Sequence, residues 1–403
     1  MVMMVRGLLL PSFYYLKFSG SEGIFPYITT MINTSIIFDF LKYCLGGKDN
    51  MSSVVANIDW RQLYSFASKQ AILGVCFDGI ERLRKEYSEE LKQNPIGRDL
   101  MIAWNGEAQQ IRIQNMKVNG VAAKLYSKFK EDGFRCCILK GQGNAVMYPN
   151  PYSRTPGDVD VWVNASREDI RVLAQSLAKG KGCVKDESLN HIELEVNGVA
   201  VELHSTPAIM NNLVYNHRLQ KWLKRNADLQ CSNVVGLPDG VGDVAVPTSY
   251  FNCVYQLFHL YHHYFYEGVG LRQIVDYYYV LVKSEEGRVK NLTALQRELK
   301  QLGLWKFAGA VMYVLHVVLG LSEEKMICPM DVKRGRVFLD EILSGGNFGH
   351  YDTRISFGNG ALGHNMQRLY RDLRLAWYYP GEALSEPVFR VWHYLWRKGS
   401  NKR

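Results

Sequence analysis

Asp158 and Asp160 are separated by one residue in the run Gly157-Asp158-Val159-Asp160-Val161-Trp162-Val163. Strand side chains alternate between faces, so the two carboxylates point the same way while Val159, Val161 and Val163 pack the other face. Adjacent carboxylates raise each other's pKa unless a cation lies between them. Hard oxygen ligands of this kind suit Mg2+. Asp-x-Asp triplets also occur on solvated strand edges and in turns, but two further features set this pair apart. Upstream, Leu139-Lys140-Gly141-Gln142-Gly143 reads as a strand running into a glycine turn. Downstream, Val199-Ala200-Val201-Glu202-Leu203-His204 alternates, with Glu202 and His204 on one face and Val201 and Leu203 on the other. If that strand pairs beside the Asp158 strand, Glu202 joins Asp158 and Asp160. Three carboxylates on adjacent strands suffice for two Mg2+ ions, which lie about 3.5–4 Å apart in two-metal sites.

These residues resemble the DNA polymerase beta-like nucleotidyltransferase superfamily. More narrowly, Leu139-Lys140-Gly141, Tyr148-Pro149, Arg154, Asp158-Val159-Asp160, Glu202-Leu203-His204 and the segment from Glu267 to Asp276 look like the bacterial uncharacterised nucleotidyltransferase family. The resemblance covers the chain from about Met31 onward. It implies an NTP as substrate, two Mg2+ ions on Asp158, Asp160 and Glu202, and transfer of a nucleoside monophosphate to an acceptor hydroxyl. Gly141 and Gly143 would let the backbone approach a triphosphate, as an ordinary strand-to-helix turn also would require. Lys140 and Arg154 would neutralise phosphate or stand as solvated cations, with Arg154 presented by a loop that Pro151 and Pro156 stiffen. His204 would orient Glu202, contact substrate or act as a base. Arg272 would touch phosphate or the second substrate; its bland alternative is an i,i+4 ion pair with Asp276. Two departures stand out: Gln142 occupies the place of the superfamily's serine or glycine, and the gap to Asp158 is longer than usual. The acceptor is left open among a protein, an RNA and a small molecule. The alternatives are an RNA- or protein-modifying, toxin-like nucleotidyltransferase and a catalytically retired nucleotide-binding or regulatory scaffold.

The elements that must position these residues follow from the pattern. Ile36 to Gly46, Asp59 to Ala67, Ile72–Tyr87 and Gly97 to Asp132 read as helices, giving a helical N-terminal region over residues 31–132. Residues 133–207 read as strand, helix, strand, helix, strands, with Ser166 capping the second helix and Asn197-Gly198 as a hairpin turn. Residues 208–345 read as a helical C-terminal domain with a glycine-rich break at Cys231–Pro247, and 346–403 as a basic, aromatic tail. The expected class is α+β: a small mixed β-sheet nucleotidyltransferase core between helical flanks. His259, His262 and His263 fall on one helical turn and line the cleft or enter the core; without an acidic partner at matching spacing they do not read as a zinc site.

The 403 residues, 47% hydrophobic, suffice for a sizeable core and two or three domains. None of the eight cysteines forms a Cys-x-x-Cys, which points to reduced thiols in a cytoplasmic protein rather than disulfides or zinc. No segment approaches the roughly 20 uncharged apolar residues of a transmembrane span. Met1–Thr30 reads as an N-terminal extension ahead of a chain that starts near Met31. The net charge of +9 is pronounced in the tail, where arginines alternate with Trp377, Tyr378, Tyr379, Trp392, Tyr394 and Trp396. That mixture suits a weak contact with a polyanion or membrane surface, or a pair of helices docked on the body with solvated arginines.

Overall fold

The structure is a computed structural model that describes residues 24–181, 183–187, 190–352, 354 and 361–392. Its centre is a five-stranded mixed sheet of β1 (Cys136–Leu139), β2 (Val159–Val163), β3 (Cys183–Glu187), β4 (His191–Val196) and β5 (Val199–His204), in the order β1-β2-β5-β4-β3. β2 runs parallel to β5 and antiparallel to β1, while β4 runs antiparallel to β5 and β3. The expected α+β class holds: this small mixed sheet lies between helical flanks. Asn197 (φ 51°) and Gly198 (φ 71°) make the tight β4–β5 turn, whose two left-handed positions suit this dipeptide.

Alternation along the strands divides the sheet's two faces. Ile138, Val159, Val161, Val163, Ile192, Leu194, Val201 and Leu203 enter one apolar cluster with Val118, Ala122, Leu125 and Phe129 of the Arg98–Glu131 helix and Ile170 and Leu173 of the Arg167–Lys181 helix. Each fully buried Val or Leu of this kind contributes about 1.5–3 kcal/mol over its exposed form. Cys137, Leu139 and Trp162 face the opposite way and join a larger cluster. That cluster unites helices before the sheet (Phe40, Leu63, Ile80, Trp104) with helices after it (Phe251, Tyr277, Phe307, Phe338). The two helical regions therefore share one core against the sheet.

The chain departs from expectation in several places. The first described helix is Ile24–Cys44, which starts before Ile36 and crosses the expected boundary near Met31; residues 1–23 of the expected extension lie outside the described residues. The glycine-rich break holds a small antiparallel hairpin, β6 (Val234–Gly236) with β7 (Asp243–Ala245). Three-residue strands carry too little alternation to be recognised beside so much glycine. Among the described residues no single helix is long and apolar enough to cross a membrane, and the very apolar Trp305–Leu319 helix is buried in the core.

The described part of the tail, including the Ala361–Ala376 helix, docks on the body. Tyr379 is buried among Tyr261, Tyr264 and Phe307, and Glu382 accepts the Asn211 N–H at 2.8 Å. Its arginines are not simply solvated: Arg374 pairs with Glu341 at 2.6 Å, and Arg390 pairs with Asp372 and Glu386. Arg397, Lys398, Lys402 and Arg403 lie outside the described residues. Among the described residues, the seven cysteines whose side chains are described form no disulfide.

Candidate active site

Parallel pairing of β2 with β5 puts Asp160 opposite Glu202 and Trp162 opposite His204. Asp158 immediately precedes β2. The carboxylates of Asp158, Asp160 and Glu202 each offer an oxygen within 4.8 Å of the others. They face a cavity of about 550 Å3 between the sheet and the Ser249–Tyr266 and Leu271–Lys283 helices, within the range usual for small-molecule sites.

Lys140 and His204 supply positive charge to this cluster. Lys140 (φ 47°) and Gly141 (φ 27°) turn the chain sharply at the end of β1, and a Cβ on Gly141 would lie 3.3 Å from the Asp158 carbonyl oxygen. A non-glycine residue held at positive φ is strained backbone, and here the strain accompanies an aimed side chain. Lys140 Nζ lies 2.7 Å from Asp160 Oδ1, so the side chain enters the carboxylate cluster rather than standing as a solvated cation. His204 Nε2 lies 3.0 Å from Asp160 Oδ1 and 3.1 Å from Glu202 Oε2. His191, paired with His204 across β4 and β5, brings Nε2 to 3.9 Å from Glu202 Oε1.

The electrostatics follow from this crowding. Burial alone would depress the Lys140 ammonium, but Asp160, Asp158 and Glu202 overcome it and hold its pKa up. Burial likewise opposes His204 protonation, yet bonds to Asp160 and Glu202 raise its pKa to about 9. Burial pushes Glu202 up, while His204, Lys140 and His191 bring it down to about 2. Asp158 is raised, first by Asp160 and then by burial. Five acidic or cationic groups, Asp158, Asp160, Glu202, Lys140 and His204, in one corner match a centre whose charge changes when a cation binds. The donor set fits Mg2+: three carboxylates, hard oxygen ligands, already gathered on one face.

Arg154 and Arg272 have different surroundings. Both line the cavity, but Arg154 Nε and Nη2 each lie 2.8 Å from an Asp276 oxygen, and Tyr148 donates to Asp276 Oδ1 at 2.6 Å. Asp276 thus takes Arg154 as its ion partner, not Arg272 one turn away; the β2 approach loop reaches the helix before the i,i+4 neighbour does. The loop is held there by close packing. The Ser153 carbonyl fits where a Cβ on Gly74 would stand, and Asn115 donates to the carbonyls of Tyr152 (3.3 Å) and Arg154 (2.8 Å). Among the described residues the Arg272 side chain donates to the Thr155 carbonyl at 3.4 Å, and its Nε is buried with no hydrogen-bond partner. A buried guanidinium with an unused donor fits an anion such as a phosphate.

Gln142 and Gly143 turn away from the cavity. Gln142 donates to Asn119 and, at 3.3 Å, to Asn115 on the Arg98–Glu131 helix. A Cβ on Gly143 would lie 2.9 Å from the Ile138 carbonyl and 3.3 Å from Val246, so this glycine serves close packing. His259, His262 and His263 line the opposite wall. Burial pushes His259 well below the usual histidine range and His262 to about 3. His263 bridges His259 (3.1 Å) and Glu267 (2.9 Å). Tyr255, Tyr266 and Phe348, which no sequence motif singled out, also stand on this wall. For Phe348 the available signal was a large aromatic set between Gly346 and Gly349.

No curated protein matches this chain at a significant level. Among solved structures, an antigenic nucleotidyltransferase-like protein from Paracoccidioides brasiliensis matches with 17% identity and a TM-score of 0.28, covering 46% of this chain and 91% of that one. A family profile described as "Uncharacterised nucleotidyltransferase" matches residues 56–320, a span that holds the sheet, all three carboxylates and both arginines. The chain belongs to this uncharacterised nucleotidyltransferase family.

Proposed function

We propose that the protein is a Mg2+-dependent nucleotidyltransferase that moves a nucleoside monophosphate from an NTP to an acceptor hydroxyl. The observation that carries this reading is the convergence of Asp158, Asp160 and Glu202 on one cavity wall, within 4.8 Å of one another. Asp158, Asp160 and Glu202 would hold the metal, which supplies charge neutralisation at the transferring phosphoryl group and lowers the pKa of the acceptor hydroxyl. Arg272, with its buried unused Nε, binds phosphate oxygens. Lys140 balances the carboxylates through Asp160, and a metal held by them would leave its ammonium available to the triphosphate. His204 fixes the orientation of Glu202 and Asp160 through its Nε2. The fixed charges and restricted cavity do the main work, since phosphoryl-type transfer depends chiefly on positioning and charge stabilisation.

The test is incubation with α-labelled nucleotides, Mg2+ and cell extract, followed by identification of the labelled species. The wild-type protein labels an acceptor, and the Asp158→Ala and Asp160→Ala variants do not. Full labelling by both variants would refute the site. A protein that binds neither Mg2+ nor nucleotide would instead be a retired scaffold.

A further inference from the structure

Phe348 lies on the cavity wall in a backbone conformation few phenylalanines adopt, with φ 54° and ψ 26°. Its segment is interleaved with the start of the Leu271–Lys283 helix. A Cβ on Gly268 would come 2.7 Å from the Gly349 nitrogen, one on Gly270 would come 2.7 Å from the Asn347 Cα, and one on Gly349 would overlap the Glu267 carbonyl. Backbone contacts this close leave little freedom, so they sustain the strain at Phe348 and fix its ring. A ring that needed only burial would not require a strained backbone on a cavity wall.

The ring's neighbours order the cavity. Gly157 precedes the metal-site Asp158, and a Cβ on it would lie 3.5 Å from Arg272 Nη1. The Arg272 guanidinium then covers the Phe348 ring, with Cζ 5.1 Å from its centroid. The His263 ring lies 5.1 Å from Phe348 on the side of the histidine row. From the carboxylates across the cavity the contacts run through the Arg272 guanidinium to the Phe348 ring. A nucleotide presents the same order of groups: triphosphate beside the metal ligands and arginine, base beyond them.

We propose that Phe348 is the stacking platform for the base of the bound NTP, an inference that rests on the nucleotidyltransferase reading of this cavity. Every base has a π-face, so the contact supplies affinity for nucleosides as a class. The seat is rigid before binding, so little ordering cost falls on the complex.

Titration calorimetry on the full chain with Mg2+ tests this, using two kinds of probe: the four α,β-methylene nucleoside triphosphates and inorganic tripolyphosphate. Phe348→Ala should weaken the tightest-binding nucleotide analogue about 5- to 150-fold, the range seen when a base-stacking aromatic is truncated. Tripolyphosphate affinity should change less than about twofold, because it has no base to lose. Phe348→Trp should retain nucleotide binding, and Phe348→Leu, which keeps apolar bulk without a π-face, should behave like the alanine variant. Equal weakening of both probes, or full nucleotide affinity in the leucine variant, would overturn the stacking role while leaving the nucleotide site standing. A wild-type protein that binds neither probe would overturn the proposed function and this inference with it.

Discussion

Replacing Asp276 by alanine removes the carboxylate that accepts two Arg154 bonds of 2.8 Å and the Tyr148 hydroxyl at 2.6 Å. All three side chains are buried, so water replaces the lost carboxylate poorly. Breaking a buried ion pair from one side costs about 3–5 kcal/mol, because the remaining charge stays desolvated. With roughly 2.1 cal/mol/K of unfolding entropy per residue, the 403 residues convert each kcal/mol into about 1.2 °C. Thermal scanning of the metal-free protein should therefore show Asp276→Ala melting about 4–6 °C below wild type. Arg154→Met with Asp276→Leu removes both charges and strands only the Tyr148 hydroxyl, a cost of about 1–3 kcal/mol. Adding Tyr148→Phe should bring the triple variant within about 1 kcal/mol of wild type. A triple variant as unstable as Asp276→Ala, or an alanine variant losing under about 1 °C, would refute the claim that these groups form one closed unit.

Two further outcomes follow from the site. Restoring the superfamily's serine by Gln142→Ser should destabilise the fold by about 1–3 kcal/mol in denaturant titration, since Asn119 and Asn115 lose a buried partner; unchanged stability would show that the Gln142 bonds carry no weight. The His204 pKa, raised to about 9, gives a sign for pH dependence. In the metal-free protein its charge stabilises the fold fully below its unfolded pKa near 6.5, and that contribution is lost as pH rises through about 9. A metal on Asp160 and Glu202 competes with that proton, so Mg2+ affinity should rise between pH 6.5 and 9 and flatten in His204→Gln; a flat wild-type profile in calorimetry would contradict the coupling.

The sheet and its charged corner were legible in the sequence because period-two alternation assigns both a face and a neighbour. Val159 and Val161 against Asp160, and Val201 and Leu203 against Glu202, already fixed which residues could meet. Asn197-Gly198 was equally plain, since its turn demands residues that accept positive φ. What stayed hidden depends on contacts distant in sequence. Nothing local to Arg154 reveals that Asp276 will take it, and a helical spacing argument pairs Asp276 with Arg272 instead. Gln142 and Gly143 sit in a motif whose other members face the cavity, and only the packing of the Arg98–Glu131 helix and Val246 turns them inward. Phe348 had only the flanking Gly346 and Gly349 to mark it, because its loop is shaped by glycines on a different segment, Gly268 and Gly270.

The most direct measurement is a crystal structure of the protein with Mg2+ and a non-hydrolysable nucleoside triphosphate. The expected result is metal density bridged by Asp158, Asp160 and Glu202, phosphate oxygens on Arg272, and Lys140 withdrawn from Asp160. Nucleotide and metal bound elsewhere, with Lys140 and His204 still bonded to the carboxylates, would contradict the assignment of this corner as a nucleotidyltransferase centre.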